Sequence, residues 1–151
     1  MTIAKLLVDA DLLILTGSSR SPFGPIWLSV DGEAFPEAHW TDFVIAVAQA
    51  FVVAATDLIE ERTQDSRVYF MDGPFEIGIR AQTARRWILT LRGGGSPNEV
   101  TKGTPVDGHY LARSIDVAAR SLLHQCRIND WRSSDIDELA TTTMRLRTLI
   151  D

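Results

Sequence analysis

Positions 67–80 read RVYFMDGPFEIGIR, two alternating apolar runs on either side of Asp72-Gly73-Pro74. An Asp-Gly between such runs signals a hairpin, because a short turn with positive φ matches the twist of paired strands. With Asp72-Gly73 as the turn, Met71 faces Pro74, Phe70 faces Phe75, Tyr69 faces Glu76 and Val68 faces Ile77. Side chains alternate faces along a strand, so Val68, Phe70, Phe75 and Ile77 share one face and Ile79 extends it. Tyr69 and Glu76 take the other. A slip of one residue would mix the two sets, so hydrophobicity and turn chemistry specify the same register. Pro74 lacks an N–H and fits only at a strand start or on an edge. Asp72 therefore reads as a turn residue; the other reading is an exposed carboxylate touching a partner from the hairpin tip.

A third strand follows at 86–92, with Trp87, Leu89 and Leu91 alternating with Ile88, Thr90 and Arg92. Near the start, Ala4, Leu6, Val8, Ala10, Leu12 and Ile14 would share a face. Leu7 and Leu13 fall on the side of Asp9 and Asp11, which predicts a bend or bulge. After a loop at 16–24, the stretch 25–33 gives another strand with Ile26, Leu28 and Val30 inward. The longest apolar run, 43–55, contains Gln49 and is bounded by Asp42 and Asp57. A bilayer span takes about 20 apolar residues, so this run reads as a buried helix. Val44, Val47, Phe51, Ala54 and Leu58 form its stripe, and Ile45, Val52 and Ile59 widen it. Thr41 is the expected N-cap, and the helix is expected to end near Glu61. So broad an apolar surface is either covered on most sides or supplies an interface.

The glycine-rich stretch 93–108 is expected to hold a short edge strand at 99–102. The C-terminal third is helical. Leu111, Ile115, Ala118, Leu122 and Cys126 form one stripe; Ile136, Leu139, Met144 or Thr143, Leu146 and Ile150 form another, capped by Ser133 or Ser134. Clustered strands with segregated helices imply an α+β fold. The expected form is one domain, 1–151, with a mostly antiparallel sheet of about five strands, one long central helix and two C-terminal helices.

Motifs for chemistry are sparse. His124 and Cys126, two apart on a helix, point to different sides, so a metal site is not expected. No G-x-S-x-G elbow and no Walker pattern occurs. The single cysteine excludes an internal disulfide framework. The N-terminus lacks the charged region and cleavage site of a secretory signal, which predicts a cytoplasmic protein. An overall acidic chain is a poor nucleic-acid binder, and Arg80, Arg85, Arg86 and Arg92 are expected to answer internal carboxylates. No catalytic residue, cofactor or metal ligand is assigned.

Charge is unevenly distributed. Residues 31–72 hold nine acids and two arginines, net −7, whereas 73–127 hold four acids and eight bases, net +4. The two segments either neutralise each other in the fold or mark a partner surface. Asp57, Glu60 and Glu61 share a helix face, where they could form a solvated end, do acid–base work or hold Mg²⁺.

The pieces Trp40-x-Asp42-Phe43 and Phe70-x-Asp72-Gly73-Pro74, with the helix between them, resemble bacterial immunity proteins of polymorphic toxin systems, including contact-dependent growth inhibition. The resemblance covers the middle third of the chain. It implies a cytoplasmic antitoxin, not an enzyme, that binds a cognate toxin domain, often a nuclease, and blocks it. It carries over no interface residue. The candidate partner surface comes instead from the acidic segment: Glu33, Glu37, Asp57, Glu60, Glu61 and Asp65. An acidic inhibitor can occupy a nuclease's positive cleft, and charge complementarity speeds the encounter. The alternatives are a small enzyme whose site is assembled from distant residues, and a homodimeric structural or interaction protein built on the broad apolar helix.

Overall fold

The computed structural model describes residues 1–15, 21–93 and 103–151. The fold is α+β, with two four-stranded antiparallel sheets and three helices. The strands exceed the expected five and divide between two sheets. In the first sheet, β1 (Ala4–Val8) pairs with β2 (Phe23–Val30), from Ala4 opposite Val30 to Val8 opposite Ile26. The other edge of β2 carries two short strands. β3 (Glu33–Phe35) covers Leu28 to Val30, and β4 (Thr41–Phe43) covers Phe23 to Pro25. Three residues are too few for alternation to show, which is why β3 and β4 are silent in the sequence.

The second sheet has the order β5 (Asp65–Tyr69), β6 (Glu76–Ala81), β7 (Arg86–Arg92), β8 (Thr104–Asp107). Tyr69 pairs with Glu76 and Val68 with Ile77, the register that the apolar alternation specifies. Val68, Phe70, Ile77, Ile79, Trp87 and Leu89 are buried on its inner face. The expected edge strand at 99–102 lies outside the described residues; β8 begins just beyond it. A parallel bridge from Thr2 to Val106 joins the two sheets.

Two local expectations fail. The common face from Ala4 to Ile14 ends at Val8, because Ala10–Leu12 forms one turn of 3-10 helix. That turn shifts the phase: Leu13 is buried, while Leu12 and Ile14 are exposed. Thr41 is not a helix cap either. It is paired with Pro25 in β4, and α1 runs Val44–Ile59 with Phe43 as N-cap and Glu60 as C-cap.

The apolar breadth of α1 is absorbed inside the fold. Val44, Ile45, Val47, Phe51, Val52, Ala54 and Leu58 are all buried. The helix packs against α2 (Gly108–Ile128), α3 (Ser134–Ile150) and strands of both sheets. Gln49, the polar residue of the run, faces α3, where its Oε1 accepts from Thr142 Oγ1 at 2.7 Å. This burial removes the reason for reading α1 as a dimer surface.

The C-terminal helices follow their stripes. Leu111, Ile115, Ala118, Leu122 and Cys126 are buried in α2, and Ile136, Leu139, Leu146 and Ile150 in α3. Of the two alternatives on α3, Thr143 is inward and Met144 outward. Ser133 caps α3 by accepting from the Ile136 N–H at 3.2 Å. At the start of α2, a Cβ on Gly108 would lie 2.5 Å from the buried Trp87 ring, so only glycine lets the helix enter there.

Candidate functional site

Residues 40–43 and 70–74 meet in space. Asp42 is fully buried at the junction of β4 and α1. Its Oδ1 accepts from the Phe43 N–H at 2.7 Å. Its Oδ2 accepts from Trp40 Nε1 and from the Asp72 N–H, each at 3.1 Å. A buried carboxylate is tolerable only when its oxygens are bonded, and here three donors converge on it. One residue before the N-cap, its charge also suits the positive end of α1.

That bond reshapes the hairpin tip. A two-residue turn of the expected kind needs positive φ at both central residues. Only Gly73, at φ +87°, has it. The hairpin instead closes through the Phe70 N–H donating to the Phe75 carbonyl at 3.1 Å, leaving residues 71–74 as a wider loop. The Asp72 N–H leaves the turn for Asp42, while the Asp72 side chain stays exposed. Aromatic rings fill the space beneath: Phe75 stacks edge-on with Trp40 and Phe35, and Phe70 with Phe35 and Phe51. Asp42 is the residue that sequence reasoning missed as an organiser, since a helix-start acid carries no sign of a partner 30 positions away.

The six candidate acids fall into three settings. Glu33 and Glu37 are exposed on β3 and the loop after it. Asp57 lies in the last turn of α1, with Glu60 and Glu61 directly after the helix. Within this second group the charges differ in their surroundings. Arg62 lies 3.8 Å from Asp57 and 3.4 Å from Glu60. Arg145, from α3, bonds Glu60 at 2.8 Å. The Arg145 hydrogen bond, with the charges of Arg145 and Arg62, holds the Glu60 carboxyl below the usual range against the opposing effect of desolvation. Glu61 is exposed and sits in left-handed backbone, φ 58°.

Asp65 belongs to a different setting, the outer face of the second sheet. It stands opposite Arg80 in the β5–β6 register, and Arg67 and Arg92 flank Glu76 at 4.0 and 3.7 Å. These side chains line an open groove of about 560 Å³ with Gly78 at its centre. Of the four arginines expected to answer internal carboxylates, Arg92 does so; Arg80, Arg85 and Arg86 are exposed and form no ion pair among the described residues.

His124 is exposed and Cys126 buried, on different sides of α2 as their spacing requires. Among the described residues, no three His, Cys, Asp or Glu side chains gather as a metal would need. No described helix is long and apolar enough to cross a membrane. Comparison with protein-family models, curated proteins and solved structures finds no match.

Proposed function

We propose that the chain is a cytoplasmic immunity protein that binds a cognate toxin domain, a nuclease, and blocks it without catalysing a reaction. The observation that carries this reading is the acidic end of α1. The C-terminal end of a helix is its negative end, where acids are disfavoured by roughly 0.3–1 kcal/mol each and cations favoured. The last turn of α1 has no basic residue of its own, and Glu60 and Glu61 follow it directly. Glu61 also occupies a backbone conformation that glycine or asparagine adopts more readily. Arg145 and Arg62 answer Glu60, but no ion pair among the described residues answers Glu61, so the cost of this end falls on Glu61. A negative surface projected at a positively charged partner accounts for it.

The resemblance contributes the partner's class. Its residues Trp40, Asp42 and Asp72 serve here to fasten the hairpin tip to the helix start, which leaves the contact surface to other side chains. A nuclease cleft built for phosphates would complement Glu61 and the neighbouring acids, speeding association in low salt. The test is binding kinetics against the C-terminal domain of the protein encoded immediately upstream. Tight one-to-one binding with loss of the toxin's activity is expected. A folded preparation that neither binds nor inhibits that domain would reject the reading.

A further inference from the structure

A second surface lies between the two C-terminal helices. The antiparallel helices α2 and α3 are joined by the short connection at 129–133, and the outer groove between them encloses about 590 Å³. That volume lies in the range of small-molecule sites. Its floor is apolar, formed by Leu123, Cys126, Ile136 and Ala140. Met144, an exposed apolar side chain, stands on its wall.

Charge on the rim is lopsided. Arg120, Arg127, Arg132 and Arg147 line the groove, against Asp130 and Asp137. Arg132 is held by Asp130 at 2.9 Å, and Arg120 by Asp116 at 3.0 Å. Arg127 and Arg147 form no ion pair or side-chain hydrogen bond among the described residues. Asp137, in the first turn of α3, sits where a negative charge suits the helix N-terminus. Two arginines of the rim are therefore uncommitted.

The wall holds one further polar group. Thr143 is 3% exposed, and its Oγ1 is closed off from solvent with no hydrogen-bond partner among the described residues. A helical threonine ordinarily bonds a carbonyl one turn back, as Thr141 does by donating to the Asp137 carbonyl at 3.2 Å. A buried hydroxyl left unmatched costs stability. It is a buried polar atom on a residue that lines the same groove as the two arginines.

We propose that this groove binds a small amphipathic anion: an apolar body lies on the Leu123–Ala140 floor, and its charged head bonds Arg127 or Arg147. This goes beyond the toxin-binding reading and uses none of the acids invoked there. An apolar floor with a few convergent polar groups is the usual build of a small-ligand pocket, and arginine matches carboxylate or sulfonate geometry through paired N–H donors.

The experiment uses the full chain and three probes with a ten-carbon chain: decanoate and decyltrimethylammonium below their micellar concentrations, and decanol below its solubility limit. Binding is followed by calorimetry and by backbone amide NMR shifts. Decanoate should bind saturably at one per chain, with shifts at Leu123, Ala140, Thr143 and Met144. Decanol should bind at least about tenfold more weakly, and the cation not at all, since a charge-assisted hydrogen bond contributes about that much. Arg127→Ala and Arg147→Ala, checked for folding by thermal melts, should together weaken decanoate about tenfold or more. Thr143→Val, which removes the orphan hydroxyl and keeps the shape, should raise the melting temperature of the unliganded protein. No saturable decanoate binding, shifts elsewhere, or equal binding of decanol with no effect of the arginine variants would each overturn the proposal.

Discussion

The Asp42 carboxylate accepts a hydrogen bond from the Asp72 backbone N–H at 3.1 Å, tying the start of α1 to the tip of the β5–β6 hairpin. The same carboxylate holds the Trp40 indole and the Phe43 N–H. Removing it would strand three donors at a buried position. Asp42→Ala is therefore expected to destabilise the fold by about 2–5 kcal/mol, from the cost of unmatched buried donors. Asp42→Asn keeps one carbonyl acceptor and should lose roughly half as much. Urea denaturation curves measure both. A loss below about 1 kcal/mol for the alanine variant would mean that water replaces the carboxylate and that the node does not hold the hairpin.

Gly73 lies one residue further along. Its φ of +87° is costly for any side chain, and an added Cβ would come 3.1 Å from the Phe75 ring. Gly73→Val should destabilise by roughly 1–3 kcal/mol, with Gly73→Ala at the lower end because it adds less bulk. Equal stability of the valine variant and the parent in the same denaturation assay would show that the loop relaxes to another conformation.

Much of this hairpin is legible in the sequence because its information is local. Val68 and Ile77 face each other across a turn, so alternation, turn residues and register all act within a short span. The stripes of α1 and α2 are legible for the same reason: Phe51 and Ile115 recur at helical spacing with their neighbours, and both are fully buried. What the sequence hides is long-range or too short to be periodic. The bond from Arg145 to Glu60 crosses 85 positions, and nothing near either residue announces the other. β3 and β4 exist because β2 offers them an edge, an arrangement that three residues cannot encode alone. The 3-10 turn at Ala10–Leu12 replaces a strand whose apolar residues fit both conformations. The candidate acids were legible as a charged segment, but their division between α1, β3 and the arginine-bearing face of the second sheet depends on the tertiary fold.

The Arg145–Glu60 contact makes a statement about pH. The Glu60 pKa is lowered in the folded protein from the ordinary 4.5, first by the Arg145 hydrogen bond. A carboxyl whose folded pKa is depressed stabilises the fold fully above its unfolded pKa and loses that contribution as pH falls through the folded value. Arg145→Gln should therefore lower stability by a constant amount at neutral pH, and the gap from the parent should narrow as the solution is acidified below the ordinary glutamate range. Salt should narrow it too, since the pair is partly exposed. Thermal melts across pH for both proteins test this. A gap that does not change with pH would assign the effect of Arg145 to packing and not to its charge.

The same contact decides which acid tests the proposed function. Glu60 is bound to Arg145 and lies beside Arg62, so Glu60→Lys would place three cations together at the end of α1 and damage the fold whatever the partner does. Glu61 is exposed, and none of the ion pairs among the described residues uses it. Glu61→Lys also puts a cation at the negative end of the helix, which should leave stability unchanged or slightly raised. A weakened encounter in that variant therefore cannot be blamed on unfolding. If α1 presents its acidic end to a basic cleft, Glu61→Lys should slow association with the toxin domain several-fold. The effect should be larger at about 0.01 M salt, where the Debye length is about 30 Å, than at physiological strength, where it is about 8 Å. Dissociation should change little, because the charge stands at the rim. Stopped-flow association at the two salt concentrations separates these rates. Tight binding with an association rate indifferent to both salt and Glu61→Lys would keep the immunity protein and remove the end of α1 from its interface.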